Sequence, residues 1–297
     1  MLYNIHMRLG IYTNVKKDAD CVFTKKLIDF LKSEEVFCSV HKSLSHYFTD
    51  LKTFSKINSS MDMCIAIGGD GTILSIVAEC ANACVPILGF NCGHVGFLSE
   101  GEPDDFTAVI KKVLCGGYTI EKRSMLACTT LKKKICALND FVISREEGKL
   151  IAVDVYSGER FIDSHYCDGF IVSTPTGSTA YSLSAGGPVI SPAANVIALT
   201  PINSHTLHSR PIVINDTETI TLKLSGESDK AKIFADGNCI AGIKSGDEIG
   251  IVKADCEVSF VRLPEYNFYE KLLCKLNKWG VVSKNKEQMN AENQQTK

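Results

Sequence analysis

No apolar run in this sequence approaches the ~20 residues that a bilayer-spanning helix requires; stretches such as Ile65–Ile67 and Phe170–Val172 are far shorter. The N-terminal segment lacks the basic n-region and apolar h-region of a secretory signal, so the expected location is cytoplasmic. Positive charge is not in surplus: 32 Lys and Arg against 34 Asp and Glu leave a net charge of −2. That balance gives no sign of the strongly basic surface a nucleic-acid or anionic-membrane binder carries, and neither partner is expected. Cysteine is plentiful at 13 residues, but paired metal-ligand spacing is missing. Cys80 and Cys84 have no matching second pair and no partner His-x-x-x-His, so no zinc centre is expected. An odd number of thiols cannot all form disulfides, and most are read as small buried hydrophobes kept reduced.

What is present is globular: 297 residues, 45% apolar and 22% charged, enough chain for two domains with separate cores. The chain is organised around Gly68-Gly69-Asp70-Gly71-Thr72. An apolar strand, Met63–Ile67, precedes it, and an unbroken helical stretch from Ile73 to about Ala83 follows. Glycines let the backbone turn tightly and approach a ligand, and amides at a helix N-terminus favour phosphate. Asp70 is out of place in a pure anion site, because it adds negative charge where an anion would sit. A base, or a ligand of a phosphate-bound cation, explains it better. The plain alternative is an Asp-Gly turn after a core strand.

Strands are expected at Arg8–Thr13, Val36–Val40 and Val85–Gly89, and helices at Ala19–Ser33 and Glu102–Leu114, with His41–Ser60 as a loop carrying a short helix. Strand and helix alternation implies a parallel, doubly wound α/β sheet with ligands at the strands' carboxyl ends, where Asp70 and the Asn91–Leu98 stretch both fall. From about Tyr118 the pattern changes to some eleven short strands, including one over Lys134–Ile143, followed by helical spacing over Pro264–Trp279 and a polar tail, Lys284–Lys297, expected to be disordered. The expected organisation is residues 1–120 as an α/β nucleotide-phosphate domain, 121–265 as a β-rich dinucleotide-binding and oligomerisation domain, and 266–297 as a helix packing back on the first domain plus the tail.

A second constellation runs from Asp168 to Pro188. A buried strand leads into a loop with six Ser and Thr hydroxyls between Thr174 and Ser184, more hydrogen-bonding capacity than a turn needs. It suits a nucleotide or polyhydroxylated ligand, or, more plainly, a surface loop held by its own caps. Asn139-Asp140 sets two polar groups inside a strand-like pattern, as either a ligand grip or a bulge.

Gly68-Gly69-Asp70-Gly71-Thr72, Asn91-x-Gly93-x-x-Gly96-Phe97-Leu98, Leu138-Asn139-Asp140 and Asp168-Gly169 through Thr174-Pro175-Thr176-Gly177-Ser178-Thr179-Ala180-Tyr181 together resemble the motifs of NAD kinases, in order, over roughly residues 8 to 280. The glycine-Asp element alone also resembles diacylglycerol, sphingosine and 6-phosphofructo-kinases; the four motifs jointly are specific. The resemblance implies transfer of the γ-phosphoryl of Mg-ATP to the 2′-hydroxyl of the adenosine ribose of NAD. It casts Asp70 as general base, and Gly68, Gly69, Gly71 and Thr72 as the ATP phosphate site. Asn91, Asn139, Asp140, Asp168, Thr176, Thr179, Ala180, Tyr181, Ser184 and Asp236 become the NAD-binding set. Magnesium is implied on the ATP phosphates, with no protein metal cluster. A homodimer or homotetramer is also implied, its nucleotide site completed by a neighbouring subunit. Two departures stand out: Asp140 replaces the family's more frequent Glu, and His94-Val95 occupies variable positions. A lipid kinase of the diacylglycerol type and a non-catalytic dinucleotide sensor are the rivals. The Asn139-Asp140 and Thr174–Tyr181 motifs, and the lack of an interfacial segment, speak against the first. Asp70 speaks against the second.

Overall fold

The computed structural model describes residues 7–93, 96–130, 134–146, 148–225 and 230–279. His94, Val95 and the tail Lys284–Lys297 lie outside the described residues. Two compact units are formed, one from described residues within 7–76, 85–121 and 260–279, the other from 77–84 and described residues within 122–259.

The first unit begins with β1 (Arg8–Thr13), α1 (Val22–Ser33), β2 (Phe37–His41), β3 (Thr53–Phe54), β4 (Met63–Gly68), α2 (Asp70–Ala83, as far as Ile76), β5 (Ile87–Asn91) and α3 (Phe106–Leu114). Its strands run in the order β5-β4-β1-β2-β3, all parallel. The order reverses between β1 and β4, so the crevice beyond their carboxyl ends is the switch point at which such sheets bind ligands. The period of two along each strand distributes the core. Leu88 and Phe90 join α1 and α3 in one cluster, where Phe23 and Phe30 both meet Phe106 edge-on, while Gly89 between them lies against Ile73 of α2 on the opposite face.

Both flanking helices start later than their apolar spacing suggests. Asp20 and Cys21 have φ of 53° and 54°, so the helix expected from Ala19 begins at Val22. The buried Asp18 carboxylate satisfies its first turn, accepting the amides of Phe23 and Thr24 at 2.9 Å each. In α3 the acidic Pro103-Asp104-Asp105 segment stays outside the helix, because Asp105 Oδ1 turns back to accept the Glu102 amide at 2.8 Å.

The second unit contains β6 (Thr119–Cys128, from Lys122 on), β7 (Ile135–Ala137), β8 (Asp140–Arg145), β9 (Ile151–Ser157), β10 (Arg160–Cys167), β11 (Gly169–Ser173), the one-turn α4 (Tyr181–Ser184), β12 (Val196–Ile202), β13 (Ile212–Asn215), β14 (Ile220–Ser225), β15 (Ala231–Ala235), β16 (Asn238–Ile243) and most of β17 (Glu248–Arg262). One antiparallel sheet has the order β13-β12-β11-β8-β15-β16, and β10-β9-β14-β17 lie antiparallel in another. Alternate residues of both, including Phe141, Val153, Phe170, Leu199, Leu222 and Ile233, share one core, as in a sandwich. The single strand expected over Lys134–Ile143 is two strands. Leu138 and Asn139 break the ladder between β7 and β8, because their amides turn to a side chain. β12 and β16 go unread at the level of sequence. The first unit closes with α5 (Phe268–Trp279).

Candidate active site

In the first unit the glycine turn sits where β4 hands over to α2. Gly68 has φ of +154°, and a Cβ there would meet Thr72 Oγ1 at 2.2 Å, so only glycine lets the chain double back on its own helix. Thr72 is 5% exposed; its hydroxyl accepts from Asn14 Nδ2 at 3.3 Å, and the Asn14 amide donates to the Ile67 carbonyl at 2.9 Å. Asn14, just past β1, thus ties the two strands of the switch point together. Sequence reasoning passed over it; its place directly after the first strand of a doubly wound sheet was the available signal. Gly69 is half-buried and Gly71 exposed, with open space around the latter.

Asp70 is the first residue of α2, where a carboxylate is favoured by the helix dipole. Its two oxygens are held by backbone: the Phe97 amide donates to Oδ2 at 2.9 Å and the Leu98 amide to Oδ1 at 3.1 Å. Lys275 Nζ of α5 stands 3.4 Å from Oδ2. Asn91 closes β5 next to the turn, buried, with Nδ2 donating to the Gly93 carbonyl at 3.2 Å, while the Cys92 amide donates to the Gly68 carbonyl at 2.9 Å. Two of the sequence motifs therefore meet, Phe97 and Leu98 of the second fixing Asp70 of the first.

In the second unit Asp236, with φ of 46°, places its carboxylate under the break between β7 and β8. It accepts the amides of Leu138 at 2.8 Å, Asn139 at 2.7 Å and Asp140 at 3.2 Å. Asp140 is 4% exposed, and burial, reinforced by the neighbouring Asp236, pushes its carboxyl up to about 7. Burial also raises Asp236, against the opposing pull of its three amides. A buried carboxyl beside a half-buried one, the first poised near neutrality, is costly in a core and characteristic of a site.

The hydroxyl-rich loop joins the same cluster. Thr174 Oγ1 donates to the Leu138 carbonyl at 2.5 Å and accepts the Gly177 amide at 3.0 Å, and the Thr174 amide donates to the Asn139 carbonyl at 2.9 Å. Several of the hydroxyls are spent within the fold: Ser178 donates to the Pro175 carbonyl at 2.6 Å, Thr179 to the Thr176 carbonyl at 3.2 Å, and Ser182 pairs with Thr200 of β12 at 3.0 Å. Thr176 Oγ1 accepts from the buried Arg123 Nη1 at 3.0 Å, a partner the sequence did not suggest. Ala180 is half-buried, whereas Tyr181 and Ser184 lie exposed, three apart on α4 and so on one side of it.

Asp168 is not brought together with these. It precedes β11 while Thr174 follows it, a separation of roughly 20 Å at ~3.3 Å per residue. There Asp168 accepts from Arg145 Nε at 2.8 Å and from Asn203 Nδ2 at 3.0 Å. Among the described residues, no three His, Cys, Asp or Glu side chains converge to hold a metal ion, and no helix is long and apolar enough to cross a membrane.

Comparison with known proteins bears on the family and the fold. The ATP-NAD kinase N-terminal domain model matches residues 9–118 and the ATP-NAD kinase C-terminal domain model residues 138–263. An NAD kinase of Caldanaerobacter subterraneus subsp. tengcongensis is 37% identical over 278 residues, covering 91% of this chain and 98% of the relative. Yeast NADH kinase complexed with NADH superposes with a TM-score of 0.82 at 25% identity, over 94% of this chain and 89% of that one. An NAD kinase from Archaeoglobus fulgidus in complex with ATP gives 0.74 at 27% identity, over 90% and 99%. With both halves of the chain matched and the relative covered almost end to end, the chain belongs to the NAD kinase family.

Proposed function

We propose that the protein is an ATP-dependent NAD kinase that phosphorylates the 2′-hydroxyl of the adenosine ribose of NAD to give NADP. The observation that carries the reading is Asp70: a carboxylate at a helix N-terminus, both oxygens oriented by backbone amides, where a phosphate-binding turn alone would place no negative charge. Asp70 accepts the 2′-hydroxyl proton. An aspartate is a weak base for an alkoxide, but phosphoryl transfer proceeds through a loose transition state in which positioning and charge neutralisation dominate. Gly68, Gly69, Gly71 and Thr72 form the phosphate turn, supported by their place at the N-terminus of α2. Asn139 and Asp140 grip ribose hydroxyls, with Asp236, Thr176, Thr179, Ala180, Tyr181 and Ser184 around them and Asn91 shaping the wall beside Asp70.

The donor set fits magnesium carried on the nucleotide. The ion would be held on the nucleotide's phosphates and by water, with Asp70 kept as the proton acceptor beside it, since magnesium is usually bound with substrate phosphates rather than in an all-protein cage. The chemistry it would supply there is neutralisation of charge on the nucleotide's phosphates.

Residues 1–120 are assigned to the phosphate site and 121–265 to the dinucleotide and subunit contacts, with 266–297 as a helix returning to the first domain followed by the polar tail. We infer a homodimer or homotetramer. Asp168 supports it: at the far end of β11 from Thr174, it can serve a dinucleotide only if that dinucleotide is bound chiefly by another subunit. A cytoplasmic location is in keeping with thirteen free thiols.

The test is an assay of the purified protein with NAD, NADH and a diacylglycerol, each against ATP and polyphosphate. Formation of a 2′-phosphorylated dinucleotide is expected. Phosphorylation of the lipid alone, or dinucleotide binding without turnover, overturns the reading.

A further inference from the structure

Two of the lysines of helix α5, Lys271 and Lys275, stand one turn apart, and both reach the loop that holds Asp70. Its start is capped by Asn267, whose Oδ1 accepts the Tyr269 amide at 3.0 Å and the Glu270 amide at 3.4 Å. Lys271 and Lys275, four apart, therefore project from one face. Lys271 Nζ donates to the Ser99 carbonyl and lies 4.9 Å over the Tyr266 ring. The same ring stacks on Arg262 at 4.1 Å, and buried Arg262 donates to Glu121 at 2.7 Å, Glu100 at 3.1 Å and the Leu98 carbonyl at 3.0 Å. The root of α5 is thus anchored to residues 98–100. Lys275, one turn on, lies 4.1 Å over the Phe97 ring with Nζ 3.4 Å from Asp70 Oδ2.

The contact with Asp70 is long for a charge-assisted bond, which is typically about 2.7–2.9 Å. Asp70 is already held by two amides, so it does not need the lysine for orientation. The ammonium, with three donors on a flexible stem, retains capacity for another anion.

We propose that Lys275 is a catalytic residue that contacts the transferred γ-phosphoryl group, a role that rests on the NAD kinase reading above. In the reaction the ribose 2′-oxygen forms a bond to the γ-phosphorus, the bond from that phosphorus to the β,γ-bridging oxygen breaks with its electron pair leaving on ADP, and the hydroxyl proton goes to Asp70. A hydroxyl held by Asp70 lies about 2.6–3.2 Å from it, and the phosphorus it attacks about 3–3.5 Å further on. Phosphoryl oxygens therefore fall within the sweep of Lys275 Nζ. This cation also answers the electrostatic problem Asp70 poses, since a carboxylate beside an incoming phosphate is repulsive unless a positive charge stands between them.

The experiment compares wild type, Lys275→Met and Lys275→Arg. Methionine keeps the stem over Phe97 and removes the charge. Expected for Lys275→Met is a kcat lower by about 10²–10³, the usual range for one lost transition-state donor, with NAD affinity by calorimetry within about twofold and the melting temperature little changed; Lys275→Arg recovers at least about tenfold of the loss. If the Met variant does not fold, Lys275→Gln carries the same readouts. A variant without the charge that keeps more than half of wild-type kcat, or a loss that appears equally in NAD affinity and melting temperature and is not relieved by arginine, overturns the proposal. Wild type that makes no 2′-phosphorylated dinucleotide overturns the function reading and this role with it, whereas an active wild type matched by Lys275→Met overturns this role alone.

Discussion

A Cβ added to Gly96 would stand 2.2 Å from Oδ1 of Asp70. The proposed base and the loop that orients it are packed to contact, and the loop has no room for a side chain at that point. Gly96→Ala is expected to push Asp70 off the Phe97 and Leu98 amides and to lower kcat by at least about tenfold. The stability loss should stay in the ~1–3 kcal/mol range of an overpacked site. Kinetics with a parallel thermal melt check this; unchanged kcat would mean that the loop yields instead of the carboxylate.

Asp70→Asn keeps the size of the side chain and one amide partner on its single oxygen, turns its NH2 toward the other amide, and removes the proton acceptor. Turnover is expected to fall by roughly 10²–10⁴, the range for a lost general base, while NAD affinity stays within a few-fold. A variant retaining more than half of wild-type kcat would exclude the base role.

Asp140 links the dinucleotide site to pH. Its carboxyl is raised to about 7 against an ordinary value near ~3.9. The folded protein therefore binds more protons than the unfolded chain between those values. The group's contribution to stability is fully present below the unfolded value and is lost as pH rises through about 7. Gripping a ribose diol uses the ionised form, so NAD affinity is expected to rise by roughly tenfold between about pH 6 and pH 8 as that form fills. Calorimetry at both ends measures it, and Asp140→Asn is expected to flatten the dependence. Asp140→Ala should weaken binding by about 1.5–3 kcal/mol, or roughly 10–150-fold. Unchanged affinity would assign the pair to structure.

Asp168 and Asp140 belong to opposite ends of the β8–β11 pair, since Ser173 stands opposite Asp140 and Gly169 opposite Ser144. If each dinucleotide is completed by a neighbour, mixing two variants impaired at low NAD, Asp140→Ala and Asp168→Ala, restores part of the activity, because some sites draw both aspartates from wild-type positions. Activity should also fall on dilution together with the oligomer. Sedimentation velocity beside the mixing assay tests both; a fully active monomer rules out a shared site.

The glycine turn was legible because everything that defines it is local: an apolar strand, glycines at the bend, and a helical stretch without a breaker. The same holds for the parallel α/β order of the first unit and for the strand-rich second half. Strand β12 was not legible. It is buried almost throughout, so it shows no alternation, and Pro201 within it argues against a central strand, although it stands opposite Phe170 there. The break at Leu138–Asn139 was equally hidden, because the acceptor of its amides, Asp236, lies 97 residues from Asn139.

Residue types at short spacing determined by themselves where this protein bends, where it places glycine, hydroxyl and carboxylate, and hence which family it resembles. Tertiary structure alone decided which of those groups meet. It set Asp70 against amides 27 and 28 residues away and a lysine 205 away, gathered Asp140, Asp236 and Thr174, and left Asp168 at the other end of its strand. The physical reason is that burial and hydrogen-bond pairing are satisfied in space: a buried carboxylate or amide needs a partner, and the chain's local pattern carries no record of which distant residue supplies it.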